Sequence, residues 1–127
     1  MFNFFENYSF YTESLSFLCD LNNNININVT TLQKYINNYF NSNNKEIIKL
    51  IHQINNTIIE NKKLFDNHLS SLNYSLENDK GWLAKKIIES KKTNTIIHHK
   101  DIIASYNNII NYFNSENNKL HNEKPLT

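Results

Sequence analysis

The chain of 127 residues contains a single glycine, Gly81, and a single proline, Pro125. These two residue types interrupt helices most strongly, so the backbone offers almost no point at which a helix is forced to end. Structural elements must therefore be predicted from the spacing of apolar side chains, which is helical along most of the chain. We expect an all-α, single-domain bundle of about five helices, since the length suits one domain and is too short for two.

The first third of the chain predicts two helices with a connection between them. Apolar residues at helical spacing indicate a first helix over residues 9–21. In the segment 22–29, NNNININV, asparagine alternates with aliphatic residues as in an exposed strand, but without a partner strand an extended linker is the better interpretation. Thr30 and Gln33 have the spacing of a capping box, which predicts that a second helix starts there and ends near residues 41–44.

The longest apolar pattern covers residues 45–77. On a wheel of 100° per residue its apolar side chains fall within one sector about 100° wide. The pattern predicts one long central helix of about 45 Å, a helix pair with a kink near residues 61–63, or a helical hairpin. Neighbouring helices or a second chain could bury such a stripe, so a homodimer stays open. The stripe consists of Ile47, Leu50, Ile51, Ile54, Ile58, Phe65, Leu69, Leu72 and Leu76.

The last third predicts a turn, a short basic helix from Trp82 to Lys92 and a final amphipathic helix capped near residues 93–95. We expect Ile51, Ile54 and Ile58 to share the core with Tyr106, Ile110 and Phe113. The bundle domain is predicted to span residues 1–115, and residues 116–127 to form a polar, frayed tail.

Basic charge is concentrated in residues 80–100. Six lysines against Glu89 alone give this segment a formal charge of +5, which leaves −4 for the rest of a chain whose net charge is +1. A helical wheel predicts an inward face formed by Leu83, Ala84, Ile87 and Ile88. The same wheel places Lys85, Lys86, Glu89 and Lys92 outward, with Trp82 on the lysine side.

This outward face is the predicted partner-binding site, formed by Trp82, Lys85, Lys86, Glu89 and Lys92. An exposed tryptophan flanked by lysines can fill a pocket on a partner protein, stack on a base or anchor at a membrane surface. The alternative is that Trp82 folds over the preceding turn and is half-buried, as tryptophans commonly are.

Motifs for catalysis and metal binding are absent from the sequence. All 13 basic residues are lysines, which excludes mechanisms that need an arginine of the same chain. His98 and His99 lack further ligands at a zinc spacing, so we expect no metal and no cofactor. His99 is predicted to be a core histidine bonded to a tyrosine or a backbone group, His98 to be solvated, and Cys19 to be a buried, unreactive thiol.

These observations predict a soluble, cytoplasmic, non-enzymatic module without a transmembrane segment. Its expected role is protein–protein interaction, as in a small inhibitor or adaptor of the kind that viruses or mobile elements encode, acting through a helical surface. A nucleic-acid-binding protein that uses residues 80–100 is the alternative.

Overall fold

The computed structural model describes residues 4–42, 44–120 and 124–126, and these form three helices: α1 (Phe4–Ser42), α2 (Ile47–Glu77) and α3 (Leu83–Leu120). The predicted all-α class is confirmed, but the prediction of about five helices is wrong. Two pairs of predicted helices are fused into α1 and α3, which contain 39 and 38 residues. At 1.5 Å per residue each is about 57 Å long.

The predicted linker 22–29 is an uninterrupted part of α1. Asn22, Ile25 and Val29 are buried, with spacings of three and four residues, whereas Ile27 is 64% exposed. The alternating pattern was misleading because only Ile25 and Val29 lie on the core side of the helix. Asparagine is a poor helix former, but burial of this stripe outweighs its weak propensity. The predicted capping box is also wrong, since the Thr30 hydroxyl donates to the carbonyl of Asn26 within the helix, at 3.0 Å.

One stripe of residues places α1 against the other two helices. Apart from Leu21, the buried positions of α1 alternate in steps of four and three residues, the repeat that produces coiled-coil-like packing of long helices. These positions are Tyr11, Leu15, Leu18, Asn22, Ile25, Val29, Leu32, Ile36 and Tyr39.

Within the segment 45–77, residues 47–77 form one helix, α2, without a break near residues 61–63. Of the three alternatives for this segment, the single long helix is therefore the correct one. The expected core residues of the segment are Ile51, Ile54 and Ile58, of which Ile51 and Ile58 are fully buried and Ile54 packs against the core at its edge. Tyr106, Ile110 and Phe113 of α3 are buried as expected.

Cross-helix contacts define the topology. Asn22 of α1 bonds to Thr95 and His99 of α3, and the rings of Tyr39 and Phe113 lie 6.3 Å apart, so α1 and α3 run in the same direction. Helix α2, which lies between them in sequence, runs antiparallel to both, since Asn55 contacts Tyr106 and Phe65 contacts His99. The turn after α2 is tied to the start of α1 because the Tyr11 hydroxyl donates to the Asp79 carboxylate.

The predicted frayed tail is wrong for most of the described residues. Helix α3 continues to Leu120, and the side chain of Leu126 is buried in the core. The backbone N–H of Leu126 donates to the Asn114 side-chain oxygen, while the Asn114 amide donates to the Leu126 carbonyl, both at 2.8 Å. Residues 121–123 and 127 lie outside the described part of the chain.

Candidate functional site

Trp82 stands at the turn between α2 and α3 and is 71% exposed. An Asx turn precedes it, in which the Gly81 N–H donates to the Asp79 side chain at 2.8 Å. The carbonyl of Trp82 then accepts the Lys86 N–H, which begins α3. The half-buried alternative for Trp82 is therefore wrong: the turn presents the indole to solvent.

Two of the predicted lysines accompany Trp82. Lys86 is exposed and Lys85 is half-buried in the first turn of α3, and Lys80 is exposed in the preceding turn. Within the described part of the chain, these three lysines form no salt bridge. We call Lys80, Trp82, Lys85 and Lys86 the Trp82 patch.

Lys92 and Glu89 lie apart from this patch, which corrects the predicted outward position of Lys92. The Lys92 ammonium donates to the Asn73 side-chain oxygen of α2 at 2.8 Å and pairs with Glu89 at 3.3 Å, and its side chain is only 15% exposed. Lys92 therefore contributes to the contact between α2 and α3, and Glu89 is its counterion.

The predicted inward face is half correct. Ala84 and Ile88 are buried, but Leu83 and Ile87 are exposed, by 45% and 40%. Thr95 and His99 belong to the row of buried residues along α3. Continued back to the start of the helix, this row includes Ala84 and Ile88 but neither Leu83 nor Ile87, so its spacing would have distinguished the two pairs.

The buried histidine was correctly predicted, but its partner was not. His99 Nδ1 lies 2.8 Å from Asn22 Oδ1, and the Asn22 amide donates to the Thr95 carbonyl at 3.2 Å. The His99 ring stacks on Phe65, with centroids 3.6 Å apart. Burial lowers the pKa of His99, an effect that the neighbouring Asp66 carboxylate opposes. This arrangement joins all three helices and has the character of a structural polar layer.

Cys19 and His98 are both exposed. Cys19 is exposed, which contradicts the predicted buried thiol, and its sulfur lies 3.7 Å from the Thr95 hydroxyl oxygen. The helix position of Cys19 is beside the core stripe and not on it. His98 is exposed, as predicted.

A second buried polar pair was not predicted. The Tyr106 hydroxyl donates to the Asn55 side-chain oxygen, which links α3 to α2. Burial raises the pKa of Tyr106. The abundance of asparagine hid this signal, because Asn55 occupies a core position of α2 among many solvated asparagines.

Among the residues that the structure describes, no group of three or more histidine, cysteine, aspartate or glutamate side chains is arranged to hold a metal ion. None of the described helices is long and apolar enough to cross a membrane. Comparisons with protein-family models, curated proteins and solved structures gave no match.

Proposed function

We propose that this chain is a non-enzymatic protein-binding module whose Trp82 patch docks on an acidic surface of another protein. An inhibitor or adaptor acting inside the cell is the role that suits such a module. The observation that carries the proposal is the exposure of Trp82 beside lysines that have no acidic partner in the described part of the chain.

The exposed indole supports the proposal because tryptophan is usually well buried and is enriched among the residues that dominate binding energy. Trp82 is the only tryptophan of the chain. Its position on a short turn, fixed by the Asp79 side chain, limits the conformational entropy that binding would cost.

The charge at the start of α3 gives independent support. The first turn of α3 contains no acidic residue, although a helix N-terminus favours negative charge. Lys85 and Lys86 occupy this unfavourable position, and an acidic partner would compensate both the lysines and the helix dipole. Residues that act against a local preference, as these lysines act against the helix dipole, are typical of functional surfaces.

Nucleic acid is the second class of partner that this patch could bind, by stacking of a base on Trp82 and pairing of lysines with phosphates. The protein partner is favoured because the patch has only three lysines, the chain has no arginine, and its net charge is +1.

The test begins with affinity capture from the native host extract with and without nuclease. A captured protein is then purified and its binding measured directly. We expect Trp82→Ala and the double variant Lys80→Glu/Lys85→Glu each to weaken binding by about 2 kcal/mol or more. Tyr74→Ala and Lys63→Glu, which change an equally exposed aromatic residue and a lysine of α2, are the matched controls and should bind normally.

The salt dependence separates the two partner classes. Contacts from three lysines to phosphates would give a log–log slope of about −3, whereas a protein interface centred on Trp82 responds mildly to salt. Recovery of nucleic acid alone, or unchanged binding of both patch variants, would contradict the proposal.

A further inference from the structure

A groove lies open between the first half of α1 and the second half of α2. It encloses a volume of about 370 Å³, and in the described part of the chain all residues that line it belong to these two helices. A volume of this size accommodates large side chains of a partner. We call it the α1–α2 groove, and its lining consists of Phe10, Glu13, Ser14 and Phe17 of α1 with His68, Ser71 and Leu72 of α2.

Two phenylalanines form the apolar part of the α1–α2 groove. Phe10 is 48% and Phe17 39% exposed, although both are large apolar residues. The Phe17 ring is held against α2, since its centroid lies 4.2 Å from that of the His68 ring. Phe10 and Phe17 are seven residues apart, about 10.5 Å along the helix. Apolar residues that recur at this interval are those that one helix presents to another.

A row of carboxylates follows the same edge of α1. Glu13 lines the groove, and Glu6 and Asp20 lie seven residues before and after it, hence on the same side of the helix. We call these three residues the acidic row. Glu13 and Asp20 are exposed, and the described salt bridges involve neither of them.

The two helices that form the groove supply no cation to the acidic row. Helix α1 has no lysine before Lys34. Residues 64–77 of α2 also contain no lysine, and they run beside the first half of α1 because His68 packs against Phe17. The groove therefore combines exposed aromatic rings with carboxylates whose charge is left uncompensated by the helices around them.

We propose that the α1–α2 groove binds a basic amphipathic helix of another protein. The apolar residues of that helix pack against Phe10 and Phe17, and its lysines or arginines pair with the acidic row at the same interval of seven residues. A basic side chain between the two aromatic rings also gains a cation–π interaction. This surface is opposite in charge to the Trp82 patch, so the two surfaces select different partners, as an adaptor requires.

A second copy of the chain does not supply such a helix. Of the 13 lysines only Lys85 and Lys92 are separated by seven residues. The Lys92 ammonium is held at the contact between α2 and α3 by Asn73 and Glu89. The chain therefore presents no row of lysines with the spacing of the acidic row, and the complementary row must come from a different protein.

The test is fluorescence anisotropy of the full chain with a labelled synthetic peptide of about three heptads, in which leucines form one face of the helix and lysines flank it. Wild type is expected to bind this peptide with a Kd of about 10 to 100 µM. Glu13→Lys should weaken binding about tenfold or more, because it brings like charges together. Phe10→Ala should weaken it about tenfold by removing one apolar wall. Glu13→Lys/Asp20→Lys should instead prefer the peptide in which glutamate replaces every lysine.

Matched controls lie on α3, outside the groove. Asp101→Lys makes the same charge change at an exposed carboxylate, and Tyr112→Ala removes an aromatic residue that is 48% exposed, as Phe10 is. Both should bind the peptide within about twofold of wild type. Trp82→Ala should also bind it normally, so this proposal and that of the Trp82 patch can fail separately. Circular dichroism verifies that every variant is folded.

Three outcomes would overturn the proposal. The first is equal affinity of wild type for the lysine and glutamate peptides. The second is a loss of affinity in Asp101→Lys as large as that in Glu13→Lys, since the attraction would then depend on net charge and not on the groove. The third is a wild type that dimerises in sedimentation equilibrium and becomes monomeric on Phe10→Ala, because a second copy would then fill the groove.

Discussion

His99 of α3 lies with Nδ1 2.8 Å from the Oδ1 atom of Asn22 on α1. The Asn22 amide donates to the Thr95 carbonyl, so Oδ1 is an acceptor and Nδ1 of His99 carries the proton. One asparagine thus sets both the height of α3 against α1 and the tautomer of the histidine. Buried polar contacts of this kind fix the register of long helices whose apolar stripes would pack almost equally well in shifted positions.

Replacement of Asn22 by leucine should destabilise the protein. The substitution leaves His99 Nδ1 without its partner in the core, which costs about 1 to 3 kcal/mol, whereas the Thr95 carbonyl keeps its hydrogen bond within α3. Urea unfolding followed by circular dichroism measures the loss. Asn24→Leu, on the exposed side of the same helix turn, is the control and should change the free energy of unfolding by less than about 0.5 kcal/mol. Equal stability of the two variants would contradict a structural role for the polar layer.

Stability should decrease when the pH falls below about 6.5, the ordinary pKa of histidine. Burial holds the pKa of His99 below that value in the folded state, so the unfolded chain binds the proton more readily. The stabilisation contributed by neutral His99 is fully present above the pKa that this residue has in the unfolded chain. It is lost as the pH falls toward the lower pKa of His99 in the folded protein, with a slope of at most about 1.4 kcal/mol per pH unit.

The corresponding measurement is the urea midpoint between about pH 7.5 and 5 for wild type, His99→Gln and His98→Gln. The His99 variant should lose most of the dependence in this window, whereas replacement of the exposed neighbour His98 should leave it in place. A dependence that persists in the His99 variant would assign the effect to other groups.

A pair of alanine substitutions tests the continuity of α1 through its asparagine-rich segment. Ile25→Ala should cost about 2 to 5 kcal/mol, because Ile25 is fully buried. Ile27→Ala should cost less than about 0.5 kcal/mol, since Ile27 lies on the exposed side. Thermal or urea unfolding compares the two. An extended linker at residues 22–29 would instead make both substitutions mild and similar.

Trp82 provides a fluorescence probe for the exposure of the turn, because the chain has no other tryptophan. Acrylamide should quench the native protein nearly as efficiently as the urea-unfolded chain. Trp82→Ala should alter the free energy of unfolding by less than about 0.5 kcal/mol, in contrast to the roughly 3 to 5 kcal/mol expected for the buried aromatic residue in Phe113→Ala. Strong protection of the indole from quenching would show that the turn folds over it.

Sequence spacing alone was sufficient for the all-α class and most of the expected core, because near-absence of Gly and Pro leaves the apolar period as the dominant local signal. For residues 45–77 it gave three alternatives, of which the single helix is the correct one. Prediction from spacing failed where the buried face of a helix contains both polar and apolar residues. Residues 22–29 were interpreted from their alternation, and Leu83 and Ile87 from a wheel drawn over a short helix. In both cases the window was too short to define the direction of the core.

Only the tertiary structure decided which polar residues are buried and which lysines stay available. Asn22 and Asn55 are indistinguishable in sequence from many solvated asparagines, and they are buried because His99 and Tyr106 of another helix satisfy them. Lys92 differs from Lys86 in that its ammonium group reaches both Asn73 of α2 and the carboxylate of Glu89. The pairings between different helices join residues far apart along the chain, and local periodicity carries no information about them.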